Sequence, residues 1–195
     1  MIPAPPVSNP LAGSRRPGGF TLVELMVTLA VAGLVIALGA PSFLRALARH
    51  AILAQAEELQ DALRIGRNEA MTRSGPVVLC RTEAASPGVC SGTPGSWQTW
   101  LLFADAGRSG AFAAGDAILR QHVDASARMT VTSEAPAIRF ESTGIAHVDS
   151  GSAMILLVPA GQAAGPPGAD RALQRQVCVN PRGAVAIVEG GAPCP

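Results

Sequence analysis

From Phe20 to Ala40 the chain reads FTLVELMVTLAVAGLVIALGA, twenty-one residues with a single charge, Glu24. At about 1.5 Å per residue, a helix of this length spans the ~30 Å hydrocarbon core of a bilayer. Two internal glycines, Gly33 and Gly39, suit a membrane helix better than a soluble one. A cleaved secretory signal would carry a shorter apolar stretch, about 7–15 residues, ending in a small-x-small site. A core helix of a soluble protein would have to hide Glu24, and apolar surface on every side, inside a small domain. The segment is therefore read as one membrane-inserted helix. Arg15 and Arg16 stand just upstream, and no acidic residue precedes Glu24. That asymmetry predicts a cytoplasmic N-terminus and an extracytoplasmic remainder.

The 195 residues leave room for one ordinary domain beyond this helix. Apolar residues make up 48% and charged residues 15%, which argues against a disordered chain. All fifteen basic residues are arginine, and they face fourteen acids, so the balance does not mark a nucleic-acid binder. Twenty-one glycines and sixteen prolines point to many turns and few long elements.

Beyond Pro41 the helical period continues but becomes amphipathic. Ile52, Ala56, Leu59, Leu63, Gly66 and Ala70 recur at steps of four and three, giving one apolar stripe. Ser74-Gly75-Pro76 should stop the helix near Arg73. Phe20 to Arg73 is then a rod of roughly 80 Å, bent or loosened at Pro41, which removes a backbone donor. From Pro76 the pattern becomes short runs between turn residues. Residues 77–81, 98–104, 117–123, 129–133, 137–141, 153–158, 176–180 and 184–189 read as strands. Val77–Leu79 and Met154–Val158 are continuously apolar, as strands covered on both faces would be. Gly161–Asp170 reads as a loop. The organisation expected is a leader over 1–19, a transmembrane helix over 20–41, an amphipathic helix over 42–74 and a β-rich head over 75–195.

Glu24 requires an explanation, because a carboxylate in hydrocarbon costs a few kcal/mol on insertion scales. Thr21-Leu22-Val23-Glu24 fits a capping box. Alternatively, Glu24 meets a positive group on a neighbouring chain, such as a free amine at Phe20. Arg15-Arg16-Pro17-Gly18-Gly19-Phe20-Thr21-Leu22-Val23-Glu24 resembles the type IV prepilin signal: basic leader, Gly, Phe, and Glu four residues later. The resemblance implies cleavage between Gly19 and Phe20 by prepilin peptidase, then N-methylation of Phe20. Pro41 sits where many such helices carry a proline. A nineteen-residue, Pro-rich leader is the one departure.

The second half narrows the likeness. Arg67-Asn68-Glu69-Ala70, Cys80 in a strand, Trp97 and Trp100 before Leu102-Phe103-Ala104-Asp105, Ile118-Leu119-Arg120, Ile138-Arg139-Phe140 with Gly144, and a terminal Cys-strand-Gly-strand-Cys resemble the GspH/FimT group of minor pilins and pseudopilins. The fold implied is α+β, a long N-terminal helix packed on an antiparallel β-sheet head. The implied role is structural rather than enzymatic: incorporation into a type IV pilus or type II secretion pseudopilus. Its implied partners are other pilins, the peptidase/N-methyltransferase and the bacterial inner membrane. No cofactor is implied.

Cys80, Cys90, Cys178 and Cys194 all follow the membrane segment, on the oxidising side for this orientation. Of the three possible pairings, Cys80–Cys90 with Cys178–Cys194 is expected, since each pair brackets a short loop or hairpin. No C-x-x-C spacing supports a metal. Asp105 to Asp116 has the length of a calcium loop, with Gly110 sixth, but Gly107 offers no ligand at the third position. A plain surface turn is the better reading. His50, His122 and His147 are scattered, and neither H-x-x-H nor G-x-S-x-G occurs. Some FimT-type minor pilins bind DNA, and the resemblance places that ability in a G-R-x-R pattern of the last hairpin. Here the stretch is Gly183-Ala184-Val185-Ala186, without either arginine. Arg171, Arg175 and Arg182 are nearby, but three charges release few counterions, so DNA is a weak candidate. Removing the leader also takes away two of the fifteen arginines and no acid.

Overall fold

The computed structural model describes residues 19–124, 128–148, 153–160 and 171–195. The leader before Gly19, with Arg15 and Arg16, and the loop Gly161–Asp170 lie outside the described residues. The chain divides into two compact units, Met1–Phe43 and Leu44–Pro195.

Helix α1 covers Leu22–Arg73. It begins two residues later than the apolar pattern alone predicts, because Thr21 acts as its cap. The Thr21 hydroxyl accepts the Glu24 N–H at 3.2 Å, and its carbonyl accepts the Leu25 N–H at 3.1 Å. Phe20 is left outside the helix. Pro41 lies within α1. The helix stops as expected at Arg73, but through serine rather than glycine. Ser74 takes a φ of 53°, and the Gly75 N–H bonds back to the Ala70 carbonyl at 3.2 Å.

Eleven strands follow among the described residues. β1 (Val77–Glu83), β2 (Ser86–Cys90), β4 (Thr99–Ala104), β5 (Ala117–Val123), β7 (Ala137–Phe140) and β8 (Ala146–His147) form one sheet in the order β5-β4-β1-β7-β8, with β2 on β1. β3 (Gly95–Ser96), β6 (Met129–Ser133), β9 (Ala153–Pro159), β10 (Arg175–Val179) and β11 (Val185–Glu189) form the other, in the order β11-β10-β9-β6-β3. Every pairing is antiparallel. The fold class is the α+β arrangement expected from the sequence. The short strands β2, β3 and β8 carry no period of their own and were not legible in it.

Within the Leu44–Pro195 unit, one core joins the helix to both sheets. Ile52, Ala56, Leu59, Leu63 and Ala70 are buried against Val77, Leu79, Trp100, Leu102, Ile138 and Phe140 of one sheet and Val131, Ile155, Leu157, Val177 and Val179 of the other. The stripe read at steps of four and three is the face that the head covers. Ala62 joins it, which the pattern missed.

β1 is covered on both faces, as its unbroken apolar run implies. Val78, Cys80, Leu101 and Phe103 form a second cluster on the far side, closed by Phe112 and Cys90. β9 differs from that expectation: Met154 is 44% exposed and Leu156 only half-buried. On that same face Val158 and, on the adjacent β10, Gln176 and Cys178 are buried, so the second face of this sheet is covered in part.

Candidate functional site: an exposed apolar helix and a tied head

In the Met1–Phe43 unit the apolar helix is exposed on every side. Phe20 is 81% exposed, Leu22 74% and Leu38 72%, and the residues between them are exposed as well. A soluble monomer rarely leaves so large an apolar surface uncovered, so lipid or other helices must cover it. Its length and hydropathy suffice to cross a membrane. Glu24 lies in the first turn, and among the described residues its carboxylate has neither ion pair nor hydrogen bond. It is available to a positive group from elsewhere. Gly19 and Phe20 precede the helix and are exposed, an arrangement that a peptidase could reach.

Three contacts tie the head together. Arg67, near the end of α1, donates from Nε to the Gly144 carbonyl at 3.0 Å. Gly144 and Gly183 both have positive φ, 79° and 76°. A Cβ on Gly183 would collide with the Gly144 carbonyl oxygen and the Arg67 side chain. The Ala146 N–H bonds to the Pro181 carbonyl at 3.0 Å, closing the junction between the two sheets. Here Arg67, Gly144 and the hairpin glycine, which the sequence placed far apart, form one contact.

Arg81 supplies the second tie. It is 7% exposed, and its guanidinium donates to the Ser96 carbonyl (3.1 Å), the Ser91 hydroxyl (2.8 Å) and the Thr93 carbonyl (2.6 Å). One buried cation thus gathers the turn between β2 and β3. The third is His122 on β5: Nδ1 lies 2.8 Å from Glu58 Oε1, Nε2 lies 3.0 Å from Gln55 Nε2, and the ring stacks on Trp100 at 5.4 Å. Neither Arg81 nor His122 stands out in the sequence as a site residue. The period could have found His122, because Glu58 lies beside the buried stripe of α1.

The cysteines join Cys80 to Cys90 and Cys178 to Cys194, with Cα separations of 5.5 and 5.6 Å. The first bond ties β1 to β2; the second brings the C-terminal tail onto β10. In the turn between β4 and β5, the Asp105 carboxylate accepts the Ser109 and Gly110 N–H groups at 2.9 and 2.8 Å. Asp116 accepts those of Ala106 and Ala113, both at 2.9 Å. These carboxylates close the loop on itself, which also seats Phe112 edge-on to Phe103. The three arginines near the last hairpin are not gathered into one patch. Arg175 stands opposite Glu189 in the strand register at one end of the hairpin and Arg182 in the turn at the other, about 16 Å of strand away. Arg171 lies at the Arg175 end, its guanidinium against Gly191.

A long apolar N-terminal helix continuing into a head of antiparallel sheets defines a pilin-like subunit. The model of the family described as Type II transport protein GspH matches residues 55–183, and the chain belongs to that family. The prokaryotic N-terminal methylation motif matches residues 14–40. Two crystal forms of the Pseudomonas aeruginosa (strain PAO1) type IV minor pilin FimU share the fold. The P21 form has a TM-score of 0.53 at 17% identity, covering 74% of this chain and 92% of that one. The P65 form has 0.50 at 17%, covering 72% and 94%. No match is found among curated proteins. The chain is a type IV minor pilin or pseudopilin.

Proposed function

We propose that the chain is held in the bacterial inner membrane by its N-terminal helix, head outward, until prepilin peptidase cuts between Gly19 and Phe20. The mature subunit then leaves the lipid and packs its helix among those of other pilins or pseudopilins. The observation that carries this reading is the contrast along α1. Among the described residues, the apolar side chains through Leu44 are exposed on all faces, whereas from Ile52 onward one stripe is buried by the head. Only the first part needs a foreign apolar partner. Lipid and neighbouring helices are interchangeable in this respect, so exchange costs little hydrophobic energy and is decided by packing. Ala30, Ala32, Gly33 and Ala37 allow that approach. The subunit acts as structure and needs no catalytic residue.

The cysteines support an outward head, since two disulfides require an oxidising compartment. Terminal sequencing of the protein isolated from membranes tests the reading. The expected first residue is N-methylated Phe20, with the uncut leader retained when the peptidase is absent. An intact leader in the presence of the peptidase overturns it.

A further inference from the structure

We infer that the Leu44–Pro195 unit carries an anionic-phospholipid site where α1 meets β6 and β9. The inference rests on the membrane-held state proposed above. A groove of about 230 Å³ there is lined by Leu47, Ala48, Ala51, Ile52, Met129 and Pro159, with Arg128 at its rim. Leu44 lies three and four residues before Leu47 and Ala48, and Ala51 four and three residues after them, so the groove continues an exposed apolar face of the helix. Leu44 is 65% exposed and Leu47 50%.

Arginines surround this apolar face. Arg45 and Arg49 are one helical turn apart, each three residues from a groove residue, Ala48 and Ile52. Arg45, Arg49 and Arg128 are exposed, and among the described residues none of their guanidinium groups has a hydrogen bond or ion pair. No acidic residue occurs between Glu24 and Glu57. An uncompensated basic collar around an apolar groove matches a lipid whose phosphate is negative and whose chain is apolar. The location fits as well: Arg49 lies five residues beyond Leu44, about 7.5 Å of helix, which is the depth of a headgroup layer. A guanidinium on a long stem reaches a phosphate while its methylenes stay against the chain. A basic head surface elsewhere would attract the same phosphate but offer no seat for the acyl chain.

The full chain is tested in nanodiscs of equal phosphatidylglycerol and phosphatidylcholine, reading the lipid retained after transfer to detergent by native mass spectrometry. Phosphatidylglycerol should be retained preferentially. Arg45→Gln and Arg128→Gln should each lower that preference about fivefold, the ratio corresponding to about 1 kcal/mol per surface arginine. Ala51→Trp, which fills the groove at an exposed position, should lower retention of both lipids, and Arg120→Gln on β5 should change nothing. Equal retention of the two lipids, or preference unaffected by the collar variants, overturns the site. So does an Ala51→Trp protein that keeps its lipid but fails to enter filaments, since the groove would then be a contact between subunits. Resistance of the wild type to carbonate extraction is read in parallel. A chain that extracts as soluble refutes the membrane-held state itself, whereas an embedded chain without lipid preference refutes only this site.

Discussion

Arg67 Nε lies 3.0 Å from the carbonyl oxygen of Gly144, at the point where the helix, the β7–β8 connection and the last hairpin converge. Gly183 of the other sheet's hairpin packs on the same carbonyl, so both sheets meet the helix at this contact.

Gly183→Ala tests that contact directly. The added Cβ would strike the Gly144 carbonyl, and a φ of 76° is strained for alanine. A loss of about 2 kcal/mol or more is expected, lowering the melting temperature of the head by several degrees. Gly107→Ala, where a Cβ meets nothing within 4 Å, serves as the control and should melt as the wild type does. Equal melting of the two variants would remove the junction from the account.

A second expectation concerns His122 and Glu58, which join β5 to α1 at 2.8 Å. The histidine is mostly buried and the glutamate is 41% exposed, so solvent screens the pair. A double-mutant cycle with His122→Ala and Glu58→Gln should give a coupling of about 0.5–1 kcal/mol in unfolding experiments. His122→Ala alone should cost more than Glu58→Gln, because it also removes the ring stacked on Trp100. Additive effects would show that the pair contributes only packing.

What the sequence disclosed followed from periodicity, and what it concealed followed from contacts between distant residues. Ile52, Ala56, Leu59, Leu63 and Ala70 could be read as a buried stripe because a helix repeats every 3.6 residues and the head covers one side. The main strands were legible for the same reason, to within one or two residues at their ends. β3 and β8 have two residues each, too short to show any alternation. Met154 misled because an apolar run does not say how far a second layer extends: on the same face of its sheet Val158 and Cys178 are buried while Met154 is exposed. The N-terminal methylation motif was legible because it is a contiguous run of residues. Arg67, Arg81 and His122 act across 77, 15 and 64 residues of chain, separations over which a linear pattern carries no signal.

Asp105 separates a self-closed turn from a calcium site. Both of its oxygens already accept backbone N–H groups, and the residue is 1% exposed. Asp105→Ala would leave the Ser109 and Gly110 amides without their acceptor and unseat Phe112 from Phe103. A cost of about 1–3 kcal/mol is expected in urea or thermal unfolding. Calcium at millimolar concentration should leave the wild-type midpoint unchanged, and a calcium-dependent rise would identify Asp105 and Asp116 as ligands.

Glu24 separates processing from assembly. A carboxylate near the start of a membrane helix costs a few kcal/mol, and nothing among the described residues of its own chain offsets that cost. The cleavage proposed above would create at Phe20 an amine of the opposite charge, and a neighbouring subunit packed alongside would bring that amine into the same apolar layer. Glu24→Ala removes the carboxylate but leaves Gly19, Phe20 and the Thr21 cap, whose bond to residue 24 uses only the backbone N–H. The variant should be cut at the normal rate and remain in the membrane, while its share in sheared filaments falls at least tenfold. Glu24→Gln distinguishes charge from polarity: it keeps the shape and a hydrogen-bonding group, yet should assemble as poorly as the alanine variant. Immunoblots of sheared filaments and of membranes measure both quantities in one experiment. Normal incorporation of either variant would leave the exposed apolar surface as the driving feature and deny Glu24 its part.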